Sequence, residues 1–486
     1  MSFFSASFGL FIVVVFVLYW WANERSVRQR NYLLILANVV FYCWWDWRSL
    51  PVLLFLVTGS YLLARWIGRT ENLAGRQGLL FTGVLGCLAV LAYFKYSGFI
   101  HELLSPILGS GQGEAVGGSS GALPLGISFY TFTTIGYLID VYRGRIAAAR
   151  DYGAFVAFCS FFPNATAGPI ERGATLLPQL LERSTFDLEN AKDGARQFLW
   201  GALKKLVVAD TLGGAVSVVF GNPAAMSGLE LGAGALMYSA QIYFDFSGYS
   251  DMAIGLSRWF GIRLTRNFAY PYFARDVGEF WRRWHISLSS WFRDYVFFPL
   301  GANRYGRVRT LVNILVTFAA CGLWHGAGWT FIVWGVVIGM CFLPLVLRAP
   351  DRRKPPVKVG GWARTSGEMA RIVLTFTVIT LAWVIFRSTD LHGASVFLRG
   401  LVEHSWTGMP HSAQLAARAG GLLRLYFALA LTAGVLCAEW FQADQPHGLA
   451  IASQPRWLRW CLYYVLLVLL AVSWGGESTR FIYANF

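Results

Sequence analysis

The sequence has 486 residues, of which 56% are hydrophobic and only 14% are Asp, Glu, Lys or Arg. A typical soluble domain has about 25% charged residues, so this composition excludes soluble, disordered, collagen-like and disulfide-stapled secreted proteins. The formal net charge of +15 is explained by the Lys and Arg that collect in cytoplasmic loops of membrane proteins and meet anionic lipid headgroups. We therefore predict an all-α, polytopic membrane protein that contacts lipid and does not bind nucleic acid.

The first apolar stretch, residues 8–22, contains no charged residue. It lacks a basic n-region and a small-residue cleavage site, so we expect it to be retained as a membrane span. Residues 31–64 form an apolar hairpin interrupted at residues 46–51, and residues 77–94 are again charge-free. Roughly 20 apolar residues cross a bilayer core of about 30 Å. We expect about a dozen transmembrane helices, with short or re-entrant helices in addition, in a single membrane domain over residues 1–486.

Basic loops orient these spans, because short loops rich in Lys and Arg stay on the cytoplasmic side. The basic-rich segments are residues 23–30, 65–76, 143–150, 258–283, 293–309 and 348–371. Residues 101–124 are Gly/Ser-rich, with two acidic residues and no Lys or Arg. This segment is predicted to lie outside, as is the amino terminus.

Apolar segments marked by Gly and Pro cluster in the central region, about residues 123–347. They are residues 123–144, 161–173 and 239–256. Irregular backbone at membrane depth is tolerated only where protein buries it or water reaches it, so we expect a cavity in this part of the chain. Matched halves of the kind found in transporters are not evident.

Several motifs are missing from the sequence. It has no Gly-Lys dipeptide, and therefore no Walker A motif, and no H-E-x-x-H. The one G-x-S-x-G match, Gly117 to Gly121, lies in the Gly/Ser-rich segment without the strand-turn-helix context of a nucleophile elbow. The seven cysteines form no C-x-x-C pair and lie mostly in apolar runs, which predicts small core residues and neither a disulfide framework nor a zinc site.

Two of the seven histidines lie in aromatic, apolar surroundings. His285 stands in EFWRRWHISLSSWFRDY and His325 in CGLWHGAGWTFIVWG, and each follows a tryptophan, Trp284 and Trp324. A polar side chain in the membrane is costly, so it usually has a partner, a water-filled cavity or a function. The alternative is a histidine that is simply hydrogen-bonded to a neighbouring helix.

The charge-free residues 310–347 lie between Arg309 and Arg348, so they are predicted to form a hairpin whose turn is GLWHGAGW. At about 1.5 Å per residue, His325 can lie about 24 Å from Arg309, which reaches the outer half of the membrane, or less far if the helices tilt or the hairpin is re-entrant. His285 follows two arginines closely and is expected toward the inner side. Two imidazoles with an ordinary pKa near 6.5 can thus mark a path for protons, acyl groups or glycans, and spacing alone does not choose among these.

The segments EFWRRWHISLSSWFRDYVFFPLGANR and LWHGAGWTFIVWG resemble the signature of the membrane-bound O-acyltransferase (MBOAT) superfamily, in its bacterial alginate O-acetyltransferase branch. GISFYTFTTIGYLIDVYRG, FFPNATAGPIER, IYFDFSGYSDMAIGL and LAWVIFRS resemble the same branch in the same order. The sequence departs from this pattern at Thr133, where many relatives have glutamine, and at the terminus FIYANF. These departures concern the substrate or partner subtype more than the class.

The resemblance implies a ring of helices around a central tunnel, with His325 as the catalytic histidine and His285 at the second motif position. It implies an acyl donor from the cytoplasm, with acetyl-CoA as that donor and no permanently bound cofactor or metal. It further implies a bacterial inner-membrane enzyme that passes acetyl groups across the membrane for O-acetylation of an exported polysaccharide such as alginate or cellulose. A periplasmic acetyltransferase or esterase-like protein and the polysaccharide export machinery are the implied partners.

Acyl transfer from a thioester to a hydroxyl needs a base, and a histidine in this role contributes roughly 10² to 10⁴ in rate. We expect His325 to be this base and His285 to polarise the thioester carbonyl or stabilise the oxyanion. A phosphate-rich donor suits the basic inner surface, although the positive-inside bias alone explains its arginines: Arg275, Arg282, Arg283, Arg304, Arg307 and Arg309.

The remaining polar and aromatic residues are expected to be structural. Asp245, Asp251 and Asp294 are interpreted as scaffold carboxylates paired with arginines, and most tryptophans as belt or packing residues. Three other functions remain open: D-alanyl transfer to teichoic acid from a carrier protein, a proton-coupled transporter that uses His285 and His325 as a relay, and an export-complex component without chemistry.

Overall fold

The computed structural model describes residues 3–108, 123–165, 168–347 and 365–473, and within these ranges it contains helices and no β-strand. The all-α prediction is confirmed. Three sequence features fall outside the described residues: the G-x-S-x-G match at Gly117 to Gly121, most of the basic segment 348–371, and the terminus FIYANF.

Twenty α-helices occur in the described ranges. They are α1 Ala6–Arg25, α2 Val27–Asp46, α3 Ser49–Arg69, α4 Leu73–Leu108, α5 Ile127–Tyr142, α6 Tyr152–Ser160, α7 Gly173–Leu181, α8 Leu188–Ala202, α9 Asp210–Gly221, α10 Gly228–Trp259, α11 Val277–Arg283, α12 Ile286–Phe292, α13 Gly306–His325, α14 Trp329–Cys341, α15 Leu343–Leu347, α16 Ser366–Arg387, α17 Leu391–Glu403, α18 Ser412–Arg418, α19 Leu422–Phe441 and α20 Arg456–Ser473. A π-helical segment, Leu203–Ala209, connects α8 to α9.

Eight helical segments of the described chain are long and apolar enough to cross a membrane. They are α1, α3, α4, α13, α14 with α15, α16, α19 and α20. Helices α2 and α10 have 20 and 32 residues but do not meet the same test. The prediction of an integral membrane protein is confirmed, whereas the number of about a dozen crossings stays a prediction.

Both hairpins predicted from the sequence are present. In the first, helix α2 ends at Asp46 and α3 begins at Ser49. In the second, α13 ends at His325 and α14 begins at Trp329. Helices α13 and α14 approach closely because Gly322 has no side chain: a Cβ there would lie 2.1 Å from the carbonyl oxygen of Phe331. The histidine turn is therefore held between two helices in close contact.

The basic segment 23–30 is a tight helix corner, and we had expected a loop. Ser26 both ends α1 and begins α2, since its hydroxyl accepts the N–H of Gln29. Arg30 is fully buried and donates to the carbonyl oxygens of Leu180 and Glu182 at 2.7 and 2.8 Å. The guanidinium N–H groups of Arg30 thus donate to carbonyl groups at the end of α7, which have no partner within that helix.

The expectation of irregular backbone is met in one of the three glycine- and proline-marked segments. Between α6 and α7 the described residues of 161–173 are turns and extended chain, but α10 runs unbroken through 239–256 and α5 occupies most of 123–144. One glycine of α10 serves packing: a Cβ on Gly248 would lie 2.7 Å from the carbonyl oxygen of Gly201.

All seven cysteines are free, as the sequence predicted, but only some are core residues. Cys87, Cys159 and Cys321 are buried and Cys341 is half-buried. The three exposed cysteines lie on α2, α19 and α20, so the apolar sequence around a cysteine did not distinguish a core position from an exposed one.

The described chain divides into two compact units. The first comprises residues 1–194 with 253–265, where α1 packs on α2 and α5 packs on α3 and α4. The second comprises residues 195–252 with 266–486, where α14 packs on α13 and α16. Both candidate histidines lie in the second unit. The single domain over 1–486 and the ring with its tunnel stay predictions.

Candidate active site

His285 lies at the junction of α11 and α12, where its backbone adopts a left-handed conformation with φ 41° and ψ 56°. A non-glycine residue rarely adopts this region, although histidine is enriched there, and such strain persists only where the surroundings fix it. Two hydrogen bonds of 2.9 Å do so: Ile286 N–H donates to the Asn267 carbonyl, and Ala269 N–H donates to the Arg283 carbonyl.

The imidazole of His285 is completely buried. Its Nδ1 lies 3.2 Å from Oδ1 of Asn267, and the hydroxyl of Ser287 donates to the same oxygen at 3.0 Å. The ring packs edge-on against Phe246, with 4.6 Å between the ring centroids. Burial lowers the pKa of His285 to about 3, because an imidazolium loses its hydration in these surroundings. The ring is therefore neutral at physiological pH.

His325 is the last residue of α13 and is 2% exposed. Its ring contacts three aromatic rings edge-on: Trp324, Trp334 and Phe386 have centroids at 5.0, 5.4 and 5.3 Å. Helix α13 is continuous from Gly306 to His325, as the predicted rise of about 24 Å from Arg309 requires. The position of His325 in the outer half of the membrane stays a prediction.

Trp324 connects the two histidines. Its ring centroid lies 6.0 Å from that of His285 and 5.0 Å from that of His325. The distance between the centroids of the two imidazoles is therefore at most the sum of these two distances. The sequence had suggested well-separated depths. The two rings are closer together than the sequence suggested, because residues 266–285 form short helices and turns, in which sequence distance from an arginine does not measure position. The depths of the two histidines in the membrane stay predictions.

Further tryptophans extend the aromatic wall around the histidines. Trp383 stacks on Trp334 at 5.5 Å and lies 5.0 Å from Trp284, and Trp281 lies 5.8 Å from Trp334. The sequence had assigned most tryptophans to belts and packing without singling these out. Apolar walls of this kind exclude water and strengthen electrostatic interactions inside the site.

The six arginines proposed for the inner surface fall into two groups. Arg283 is buried and donates to Glu279, and Arg275 is half-buried and pairs with Glu279 and, at 3.1 Å, with Glu368. The other four are exposed: Arg282, Arg304, Arg307 and Arg309. The first two arginines are structural, and the exposed four are available to an anionic ligand.

The three aspartates that were interpreted as scaffold residues all form ion pairs, but only one of them pairs with an arginine. Asp245 pairs with Lys205 at 2.5 Å and Asp251 with Lys204 at 2.6 Å, whereas Asp294 pairs with an arginine at 2.9 Å, as predicted. The two lysines are consecutive residues of the π-helical segment and are buried. Their appearance in the apolar run GALKKLVVAD is the signal that could have found them.

Two further observations bear on ligands. Among the residues that the structure describes, no group of three or more His, Cys, Asp or Glu side chains has the arrangement of a metal site. A cavity of about 830 Å³ is lined by residues of α9 and by the segment from His411 to Arg424. Neither candidate histidine lines this cavity.

The described chain is thus a helical membrane protein in which two buried imidazoles contact one indole ring. Residues 149–384, which include both histidines, match the model of the membrane-bound O-acyltransferase family. The chain is 41% identical over 394 residues to a probable alginate O-acetylase of Pseudomonas putida, covering 79% of this chain and 77% of that protein.

Two other relatives carry different names. A peptidoglycan O-acetyltransferase of Helicobacter pylori is 32% identical over 410 residues, 79% of this chain and 76% of that protein. A teichoic acid D-alanyltransferase of Streptococcus thermophilus is 31% identical over 289 residues, 54% of this chain and 68% of that protein. The chain belongs to the membrane-bound O-acyltransferase family and is an O-acyltransferase. The catalytic assignment of His325 and His285 stays a prediction.

Proposed function

We propose that this enzyme takes an acetyl group from cytoplasmic acetyl-CoA and passes it across the bacterial inner membrane for O-acetylation of an exported polysaccharide such as alginate or cellulose. The pairing of His325 with His285 around one indole, in a buried aromatic site, is the observation that carries the proposal. It supplies two imidazoles where a thioester and a hydroxyl can meet without competing water.

In this mechanism His325 acts as the general base. It takes the proton of the attacking hydroxyl while the hydroxyl oxygen bonds to the thioester carbonyl carbon. The tetrahedral intermediate then collapses, the carbon–sulfur bond breaks, and the leaving thiolate takes the proton back from the imidazolium. Removing the base should slow the transfer by roughly 10² to 10⁴.

Two observations favour acetyl over D-alanyl transfer. The alginate O-acetylase relative is 41% identical and matches 79% of this chain, whereas the D-alanyltransferase relative is 31% identical and matches 54%. The exposed arginines at the start of α13, Arg307 and Arg309, suit the phosphates of CoA. A periplasmic acetyltransferase or esterase-like protein and the export machinery would then place the acetyl group on the polymer.

The proposal is tested by the ester content of the secreted polysaccharide in cells that carry the intact chain or His325→Ala, with protein level and polymer yield measured alongside. We expect normal polymer and protein but loss of acetyl esters in the variant. Loss of the polymer itself would favour an export role, and normal ester content would contradict the catalytic assignment.

The donor is tested with purified protein. Binding of CoA should weaken with added salt, because exposed charges are screened over about 10 Å at 0.1 M ionic strength. Binding of only an acylated carrier protein would point to D-alanyl transfer.

A further inference from the structure

One asparagine side chain contacts both His285 and the start of α12. Asn267 is completely buried, and its Oδ1 faces three groups: Nδ1 of His285 at 3.2 Å, the hydroxyl of Ser287 at 3.0 Å and the backbone N–H of Ser287 at 3.2 Å. Its backbone carbonyl accepts the N–H of Ile286 at 2.9 Å. Asn267 therefore satisfies the first two backbone N–H groups of α12, which have no partner inside the helix.

The backbone N–H of Ser287 decides which amide atom faces the histidine. A backbone N–H can only donate, so the side-chain atom of Asn267 that faces it must be the oxygen. If the amide were rotated by 180°, its NH2 group would face the backbone N–H of Ser287, and two donors would lie opposite each other. In a buried site, an unsatisfied polar group costs about 1 to 3 kcal/mol. The backbone N–H of Ser287 therefore fixes the orientation in which the side-chain oxygen of Asn267 faces His285.

The same oxygen fixes the proton on the imidazole. The Ser287 hydroxyl also lies 3.5 Å from Nδ1 of His285, but it gives its single hydrogen to the nearer Asn267 oxygen at 3.0 Å. Since an amide oxygen only accepts, Nδ1 carries the hydrogen that it donates to Asn267. A neutral imidazole carries one hydrogen, so Nε2 holds a lone pair. We infer that Asn267 holds His285 as the Nδ1–H tautomer, so that Nε2 accepts a hydrogen bond from a donor group of the substrate.

The substrate half of this inference rests on the proposed function. Two groups have the required chemistry: a second hydroxyl of the acyl acceptor, other than the one whose proton His325 takes, and an amide N–H in the pantetheine arm of the donor. A thioester carbonyl and an oxyanion do not, because both are acceptors. Polarisation of the carbonyl, which we had expected of His285 from the sequence, then falls to another group, and Asn267 is a positioning residue that acts through the histidine.

The tautomer is tested directly by NMR of full-length protein labelled with ¹⁵N-histidine. Subtracting the spectrum of His285→Gln isolates the ring of His285. At pH 7 we expect a protonated Nδ1 and an unprotonated Nε2 in the wild type, and loss of this fixed state in Asn267→Leu. A ring protonated at Nε2 in the wild type would overturn the inference, and this outcome does not depend on what reaction the enzyme performs.

Kinetics with acetyl-CoA and a hydroxyl acceptor test the substrate half. Asn267→Leu should lower kcat/KM by roughly 10-fold or more, and a larger KM for the acceptor or for acetyl-CoA identifies which of the two donates to Nε2. Asn267→Asp keeps an acceptor facing all three donors and should restore activity at high pH. Its carboxylate favours the imidazolium, so its acid limb should move to higher pH by about one unit or more.

A matched control is Asn313→Leu. Asn313 is also buried and donates to the carbonyl oxygens of Leu300 and Ala302. It lies on α13 more than three helical turns before His325. It should lower protein yield while the pH profile keeps its wild-type shape. If Asn267→Asp and Asn313→Leu gave the same profile, Asn267 would have only a structural role. If wild-type protein had the expected tautomer but transferred no acetyl group, the proposed function would fail and the tautomer would stand.

Discussion

The buried lysines and the buried histidines lie in the same unit, but their neighbours differ. Lys204 and Lys205 contact carboxylates at 2.5 to 2.7 Å, whereas His285 and His325 contact aromatic rings, and His285 also an amide. A buried charge has to be paired, and pairing commits it to the scaffold. A neutral imidazole needs no counter-charge, so a histidine can be buried without being committed to an ion pair.

The largest effect that would sharpen this contrast is expected for His325→Ala. The acyl-transfer rate should fall by roughly 10² to 10⁴ because the proton acceptor is gone. The free energy of unfolding should fall by only about 0.5 to 3 kcal/mol, as for an ordinary truncation. Single-turnover acyl transfer and the thermal midpoint of the same purified sample provide the two measurements.

His447→Ala serves as a matched control, since His447 is also 2% exposed but lies between α19 and α20. It should change stability by a comparable amount without the rate loss. Equal rate losses in both variants would remove the distinction between the candidate site and other buried histidines.

For Lys205→Met we expect the opposite result, a large loss of stability with little loss of activity. Lys205 lies between Asp210 and Asp245, at 2.7 and 2.5 Å, and removal of its charge leaves two carboxylates buried together. Breaking a buried ion pair costs about 3 to 5 kcal/mol, so the yield of folded protein and the thermal midpoint should fall clearly. Activity per folded molecule should stay within about threefold of the wild type.

Lys192→Met is the control for charge removal as such. Lys192 also pairs with a carboxylate, Glu189, but both side chains are largely exposed, at 49% and 75%, and exposed pairs contribute little. Its thermal midpoint should match the wild type. A loss of activity in Lys205→Met that exceeded the loss of folded protein would assign Lys205 a part in the reaction.

Much of this contrast was open to prediction from the sequence, because hydropathy and charge are local properties. The hairpin that ends α13 at His325 follows from 38 charge-free residues. The contact of both histidines with Trp324 does not, since it depends on how the short helices after residue 266 fold back. Asn267 lies 18 residues before His285, and no spacing rule connects an asparagine to the histidine that it orients.

Glu230 tests an intermediate case, a buried carboxylate held by hydrogen bonds and not by a lysine. It is fully buried in the first turn of α10 and forms a capping box with Ser227: its carboxylate accepts the Ser227 N–H at 3.0 Å, and its own N–H donates to the Ser227 hydroxyl at 3.2 Å. The carboxylate also accepts the backbone N–H of His411 at 2.6 Å and contacts the imidazole of His411 at 3.1 Å.

These donors set the pKa of Glu230. Burial alone would raise the pKa of this carboxyl, but the hydrogen bonds from Ser227 and His411 outweigh it and hold the pKa below its usual value. Because the folded-state pKa is depressed, the charge contributes stability above the unfolded pKa of about 4.3, and that contribution is lost as pH falls through the folded value.

The smallest effect in this series is therefore expected for Glu230→Gln, which keeps the shape of the capping box and removes the charge. At pH 7 the variant should be less stable than the wild type by about 1 kcal/mol, the usual scale of a helix cap. The difference should shrink below pH 4.3, where the wild-type carboxyl also becomes protonated. Thermal midpoints of both proteins between pH 3 and pH 8 give the measurement, with acyl transfer at pH 7 unchanged. A difference in stability that stayed constant across this pH range would mean that the geometry of Glu230, and not its charge, makes the contribution. A loss of stability as large as that of Lys205→Met would show that hydrogen bonds hold a buried charge as strongly as an ion pair does.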